Sequence, residues 1–178
     1  FHKILQAKPG EYFDMNISVQ GEYESIFSNY QNLRMYKGKD KVTAMPRNVH
    51  QLLNVNLVIH VQAEDEVIDK IYQNMVNGEE TFSLGRHEDM VRIDGIKYVK
   101  NVEQVKRDQA NRNAYVPLDN LGEDMPGINY NLNTVYHITP DELRRYEKVK
   151  VKYIEEDSNI LLKNVLKDED GDYIIFYK

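Results

Sequence analysis

Residues 53–61 alternate between apolar side chains and others, and this run is the clearest strand pattern in the chain. Alternation with a period of two predicts a β-strand that buries one face. Of the 178 residues, 41% are hydrophobic and 29% are charged, so the chain can bury a core and does not have the composition of a disordered segment. The alternating apolar residues are Leu53, Val55, Leu57, Ile59 and Val61.

Two further patterns in the first half predict regular structure. Residues 15–19 alternate between apolar and polar side chains, which predicts another half-buried strand. Residues 63–77 place their apolar side chains on one helical stripe, with acidic residues in the first turn and Gly78 at the end. These features predict an amphipathic helix.

In the second half, an Asp-Gly pair at 94–95 lies between two short apolar runs and predicts a β-hairpin. Residues 106–133 contain prolines and glycines without periodicity and predict a loop. The Thr-Pro-Asp-Glu run that begins at Thr139 has the spacing of a capping box and predicts a short helix to about Tyr146. Three strands are predicted at 149–153, 160–166 and 173–177. The sequence therefore predicts an α+β fold with a mostly antiparallel sheet.

The composition argues against several kinds of site. The chain has no cysteine, and its five histidines show no metal-ligand spacing, so no metal or other cofactor is expected. Residues 168–172 resemble the start of a calcium loop, but the glycine and glutamate positions do not fit, which favours a tight acidic turn. No apolar run approaches the ~18 residues of a membrane span. Because no signal peptide is visible, the expected compartment is the cytoplasm.

Residues 23–47 combine aromatic and basic side chains. The net charge of the chain is −6, yet residues 34–47 contain five bases and one acid. Lysine and arginine bind phosphates, and tyrosine stacks on bases of any sequence, so this segment is a candidate RNA-binding arm with an exposed tip. A solvated hairpin would have the same composition. The candidate residues are Tyr30, Arg34, Tyr36, Lys37, Lys39, Lys41 and Arg47.

A second candidate is the polar loop 83–89, Ser-Leu-Gly-Arg-His-Glu-Asp. Gly85 allows the backbone to approach a ligand, and the guanidinium of Arg86 can fork onto a phosphate. A turn in which Arg86 pairs with Glu88 or Asp89 is an equally good interpretation of these residues. The candidate RNA-binding residues of this loop are Leu84, Gly85, Arg86 and His87.

The run 81–93, Thr-Phe-Ser-Leu-Gly-Arg-His-Glu-Asp-Met-Val-Arg-Ile, resembles the Leu-Gly-Arg segment of a CRISPR-associated Cascade subunit. That subunit belongs to the RAMP superfamily and binds the 5′ handle of the guide RNA (crRNA). The run is most similar to the subfamily whose motif continues Glu-Asp-hydrophobic, which is found in type I-B systems. Weaker likenesses lie at 1–7, 27–30 and 146–151, so the resemblance extends over most of the chain.

The resemblance implies a ferredoxin-like, RNA-recognition-type sheet with a protruding β-hairpin thumb at about 22–48. It implies a core domain over 1–105 and a β-rich extension over 106–178. It also implies a non-catalytic subunit in antiviral defence that holds the crRNA 5′ handle and joins the Cascade backbone subunit to the large subunit. In this family a strand precedes the helix end that 1–7 resembles. An upstream segment, or self-association of the chain, is therefore expected.

Two other functions remain open from the sequence. In one other subtype the relatives are metal-independent endoribonucleases that process CRISPR repeat RNA, in which a base activates the ribose 2′-hydroxyl. His87 and His50, with neighbouring lysines, are candidates for that chemistry. The chain could instead be a protein-interaction domain without RNA binding. Its acidic face would come from the seven acids between Glu155 and Asp172.

Overall fold

A computed structural model of the chain describes residues 4–6, 8, 14–35, 42–78, 81–84, 89–122, 125–141 and 143–177. This part of the chain contains ten β-strands and one α-helix, α1 (Asp65–Asn77). Within it, no helix is long and apolar enough to cross a bilayer. The strands are β1 (Met15–Met35), β2 (Val42–Ala63), β3 (Phe82–Ser83), β4 (Met90–Val91), β5 (Val102–Gln109), β6 (Ala114–Pro117), β7 (Ile128–Ile138), β8 (Arg144–Ile154), β9 (Asn159–Asp168) and β10 (Tyr173–Ile174).

Strands β1 and β2 form a long antiparallel hairpin, paired from Met15 with Ala63 to Met35 with Val42. A bulge at Glu22–Glu24 interrupts the register. β1 also pairs with β6, where Gln20 lies opposite Ala114. The hairpin therefore joins the rest of the sheet near its base and continues beyond it.

The strands form three antiparallel sheets, in the orders β2-β1-β6-β8-β7, β10-β9-β5 and β3-β4. The hydrophobic core lies where β6 and β8 of the first sheet meet the second sheet. Burial of these apolar side chains is the main favourable contribution to folding. The buried core residues are Val105, Ala110, Ala114, Val116, Leu121, Ile154, Ile160, Leu162, Val165, Tyr173 and Ile175.

The predicted α+β, ferredoxin-like fold is wrong. In the described residues β-strands predominate, and α1 is accompanied by antiparallel sheets rather than by a second helix packed on one sheet. The predicted strand at 53–61 and the predicted helix at 63–77 also contribute less to the core than their patterns indicated. Ile71 is the buried residue of α1, while Leu53, Val55 and Ile59 of β2 are each about 40% exposed, at 39%, 41% and 44%.

The helix predicted from Thr139 to Tyr146 is absent from the described residues, because this segment forms the β7–β8 hairpin. The backbone N–H of Thr139 donates to the Leu143 carbonyl at 2.9 Å. Its hydroxyl donates to the same carbonyl at 3.0 Å and accepts from the Leu143 N–H at 3.2 Å. The threonine thus closes a hairpin turn instead of capping a helix.

Two predictions of local structure between residues 90 and 133 are also wrong. The predicted loop 106–133 contains the end of β5, all of β6 and much of β7. β5 pairs with β9, and both β6 and β7 pair with β8. The predicted hairpin at 94–95 does not form, because β4 pairs with β3 instead. β5 runs across the boundary predicted between residues 105 and 106, and the division into two domains stays a prediction.

Candidate nucleic-acid interface

Leu84, the described residue of the Leu-Gly-Arg motif, directly follows β3, which pairs with β4. Phe82 pairs with Val91, and Ser83 pairs with Met90. The N–H of Leu84 donates to the Asp89 carbonyl at 3.0 Å, which closes the loop between the two strands. The side chain of Leu84 is 57% exposed. The other candidates of this loop, Gly85, Arg86 and His87, lie outside the described residues.

The arm candidates are divided between the hairpin and its tip. Tyr30 of β1 lies directly opposite Arg47 of β2, and Arg34 lies opposite Thr43. The pairing therefore brings one predicted stacking residue and one predicted phosphate ligand to the same level of the hairpin. The four candidates of the tip, Tyr36, Lys37, Lys39 and Lys41, lie outside the described residues.

Four tyrosines from four strands of the five-stranded sheet form a cluster, called the tyrosine cluster below. They are Tyr23 of β1, Tyr115 of β6, Tyr130 of β7 and Tyr153 of β8. The hydroxyls of Tyr23 and Tyr115 are 3.2 Å apart and share a hydrogen bond. The Tyr115 ring centroid lies 5.5 Å from that of Tyr130 at an interplanar angle of 85°, and 5.1 Å from that of Tyr153 at 50°. These are the distances and tilts of edge-on aromatic packing.

The tyrosine cluster lies on the face of the sheet that is turned away from the core. Tyr115 stands between Ala114 and Val116, both buried in the core, and successive side chains of a strand point to opposite faces. The β7 side of the cluster is open to solvent. Tyr130 is 41% exposed, and the neighbouring Ile128, which pairs with Tyr153 but is not a member of the cluster, is 63% exposed. The cluster is thus an accessible aromatic surface that can stack on planar ligands.

Two hydroxyls of the tyrosine cluster, those of Tyr115 and Tyr153, have pKa values above that of a free tyrosine. Burial, and then the hydrogen bond with Tyr23, raise the pKa of Tyr115 above that of a free tyrosine. Burial also raises the pKa of Tyr153. Because an ordinary tyrosine already titrates near pH 10, both hydroxyls stay protonated at neutral pH. They can donate or accept hydrogen bonds without repelling a phosphate.

The sequence did not reveal the tyrosine cluster. Thirteen tyrosines and no tryptophan are visible in the composition, but only Tyr23 of this cluster lay in a segment with a predicted function. Tyr115 is 92 residues further along the chain. Tyr115 and Tyr130 also fall in the segment predicted as a loop. The alternating residues around Tyr153 were the one local signal that a second member stands on a strand.

The acidic turn predicted at 168–172 is present, and hydrogen bonds within the turn hold its first and last residues together. The N–H of Asp168 donates to the Asp172 carbonyl at 3.0 Å, and one carboxylate oxygen of Asp168 accepts from the N–H groups of Asp170 and Asp172. The other lies 3.2 Å from Nε2 of His60 on β2. Asp168 and Asp172 are each 6% exposed, so two acids of the predicted acidic face are buried in the protein.

The histidines proposed for RNA cleavage are not brought together in the described part of the chain. His50 packs on Phe27 with ring centroids 4.9 Å apart, on the extended part of the hairpin. His87 lies outside the described residues. Within the described ranges, no group of three or more His, Cys, Asp or Glu side chains has the arrangement of a metal site.

Comparison of the chain with protein-family models, with curated proteins and with solved structures found no match.

Proposed function

We propose that this chain is a non-catalytic, RNA-binding subunit of a type I CRISPR surveillance complex of the Cascade kind. In this proposal it holds the 5′ handle of the crRNA, contacts the backbone and large subunits, and acts in the cytoplasm in antiviral defence. The observation that carries the proposal is the environment of Leu84, the first residue of the Leu-Gly-Arg sequence. Leu84 is exposed directly after β3, and its N–H donates to the carbonyl of Asp89, directly before β4.

The backbone pairing of the flanking residues suits RNA binding for a physical reason. Because β3 and β4 are paired on either side of the motif, less binding free energy is lost in ordering these strands when a ligand binds. Glycine allows close backbone approach, and the arginine beside it can bind a phosphate with two hydrogen bonds. The proposal uses this sequence and its paired flanks and does not require a ferredoxin-like fold.

The tyrosine cluster supports the RNA-binding part of the proposal independently of the motif. Single-stranded RNA binds proteins largely through bases stacked on aromatic side chains. Tyr130 offers an exposed ring at the rim of the cluster, and Tyr115 packs against this ring and also against that of Tyr153. A rigid aromatic surface of this kind binds bases without reading their sequence.

The proposal is tested by purifying the chain together with its neighbouring subunits and sequencing any bound RNA. Short RNAs that share one repeat-derived 5′ end are expected. Purified protein is also incubated with repeat RNA in the presence and absence of chelator, and no cleavage is expected. A complex that contains no RNA would contradict the proposal, and chelator-resistant cleavage lost on His87→Ala would replace it with the endoribonuclease function.

Arg86→Ala is expected to weaken binding of the 5′ handle RNA by roughly 1–3 kcal/mol, the usual cost of losing a bidentate contact. The measurement is a titration of labelled handle RNA with wild type and variant. Arg92→Ala is the matched control, because Arg92 is an arginine of the same segment whose exposed side chain already pairs with Asp94 at 2.6 Å. Equal affinity of Arg86→Ala and Arg92→Ala would show that Arg86 does not contact the RNA.

Tyr130→Ala is expected to weaken binding of single-stranded RNA by about 1–3 kcal/mol, the contribution of one stacked base. Tyr98→Ala is the control, since Tyr98 is 42% exposed, close to the 41% of Tyr130, but stacks on Tyr72 of α1 instead. Binding is measured by fluorescence anisotropy. If both variants lose the same affinity, the tyrosine cluster has no specific role in RNA binding.

A further inference from the structure

Strands β7 and β8 place an asparagine opposite a lysine three times in succession. Directly opposed residues of an antiparallel pair project from the same face of the sheet, so the six side chains share one face. This face is opposite to that of Tyr130, which stands between two of the asparagines, and is therefore separate from the tyrosine cluster. The Lys–Asn ladder consists of the pairs Asn129–Lys152, Asn131–Lys150 and Asn133–Lys148.

The ladder leads from the edge of the core into solvent. Lys152 is half-buried beside Val116, and its ammonium donates to the Met125 carbonyl. Lys150 and Lys148, further along β8, are exposed. Neither ammonium has a hydrogen-bond or ion-pair partner among the described residues. These are two available cations on a chain whose net charge is −6, and the ladder contains no acid.

An aromatic side chain continues the same face. Tyr146 is 45% exposed and precedes Lys148 by two residues, so both project to the same side of β8. Successive side chains on one face of a strand are ~6.8 Å apart, which is the length of two residues along the strand. Along this line the strand presents a stacking ring and two free ammonium groups, and β7 presents amides beside the ammonium groups.

We propose that the Lys–Asn ladder and Tyr146 form a second nucleic-acid site, which binds the sugar–phosphate backbone of single-stranded RNA. Lys148 and Lys150 bind consecutive phosphates. Asn131 and Asn133, which can both donate and accept, bind ribose 2′-hydroxyls or base edges. An acidic protein would use the lysines but would leave the amides without a matching partner. The proposal does not depend on the Cascade assignment.

The test compares wild type with Lys148→Gln/Lys150→Gln in binding a labelled single-stranded RNA of about 12 nucleotides without repeat sequence, a usual length for such sites. Affinity is measured from about 50 to 200 mM KCl. Because each phosphate contact on a single strand contributes about 0.7 to the slope of log K against log salt, the slope is expected to fall by about 1.4. The matched control, Lys106→Gln/Lys163→Gln, removes two exposed lysines from β5 and β9 and is expected to leave the slope unchanged.

Asn131→Ala/Asn133→Ala is expected to lower the preference for this RNA over DNA of the same sequence while keeping the salt slope. Melting temperatures of all variants are expected to match that of the wild type, since the changed side chains are exposed. An unchanged slope in Lys148→Gln/Lys150→Gln would overturn the proposal. A second result would also overturn it. If a poly-glutamate peptide displaces the RNA from the wild type and binds Lys148→Gln/Lys150→Gln more weakly, the partner of this face is an acidic protein. Arg86→Ala, measured on the same RNA, separates this site from the 5′-handle site, because it is expected to bind this RNA normally.

Discussion

Tyr173→Ala is expected to destabilise the protein by about 3–5 kcal/mol, the usual cost of truncating a buried aromatic residue. Tyr173 is 0% exposed and is the largest fully buried side chain of the described residues. It lies in the core where the two larger sheets meet. Removal of its ring leaves a cavity that the surrounding packed side chains cannot easily close.

Tyr173→Phe is the matched control for this prediction. It keeps the ring and removes the hydroxyl, which donates to the Gln109 carbonyl at 3.1 Å. The expected loss is about 1 kcal/mol, the net contribution of one hydrogen bond. Urea unfolding with an unchanged m-value gives both numbers. Similar stabilities of the alanine and phenylalanine variants would mean that the ring is not part of a tightly packed core.

Several strands that the sequence predicted correctly have residues that repeat with a period of two. β2 and β8 contain the runs 53–61 and 149–153, and the period follows from the pleat of the backbone regardless of the partner. The pattern did not reveal how much of the strand is buried. Val55 and Ile59 alternate as core residues do but are exposed. Val55 lies on the part of the hairpin beyond the pairing of β1 with β6, and Ile59 projects from the face opposite to that of the buried His60.

The strands that the sequence missed consist largely of residue types that are uncommon in strands. β5 has the sequence Val-Glu-Gln-Val-Lys-Arg-Asp-Gln and pairs with β9, fifty or more residues away. β7 alternates asparagines with larger side chains, a composition typical of loops, and pairs with the next strand, β8. Strand pairing overrides local propensity in such segments, because most of the stabilisation comes from neighbouring strands.

The residues of the candidate interface likewise include some that were visible in the sequence and some that meet only through strand pairing. The Leu-Gly-Arg loop is contiguous, so its residues and spacing were visible in the sequence. The tyrosine cluster and the Lys–Asn ladder each combine residues from different strands, and their members meet only through the sheet order β1-β6-β8-β7. Predicting them would have required the register of β7 with β8, which a predicted helix at residues 139–146 excluded.

Asp168→Ala is expected to destabilise the protein by about 3 kcal/mol, because it leaves buried donors without an acceptor. The carboxylate accepts from the N–H groups of Asp170 and Asp172 at 3.0 and 2.8 Å and lies 3.2 Å from His60. The side chains of Asp168 and His60 are only 3% and 7% exposed, so water cannot replace these contacts. Asp168 therefore joins the C-terminal turn to the base of the hairpin.

Asp168→Asn is the isosteric control and is expected to lose less stability, since its carbonyl oxygen can still accept from the turn. Both variants are compared with wild type by urea unfolding at neutral pH. Equal losses for the alanine and asparagine variants would show that the charge, rather than the acceptor, is what the turn requires. A loss under 1 kcal/mol for Asp168→Ala would contradict the assigned structural role.

The contribution of Asp168 is also expected to depend on pH. Burial alone raises the pKa of its carboxyl, but the hydrogen bonds from the Asp172 N–H, from His60 and from the Asp170 N–H outweigh burial and hold the pKa below its usual value. In the unfolded chain the carboxyl titrates near its ordinary pKa of about 3.9. Stability from Asp168 is thus fully present above about pH 4 and is lost as the pH falls through the lowered native pKa. Since asparagine cannot titrate, the difference in unfolding free energy between wild type and Asp168→Asn is expected to shrink over this acidic range. A difference that stays constant with pH would contradict the lowered pKa.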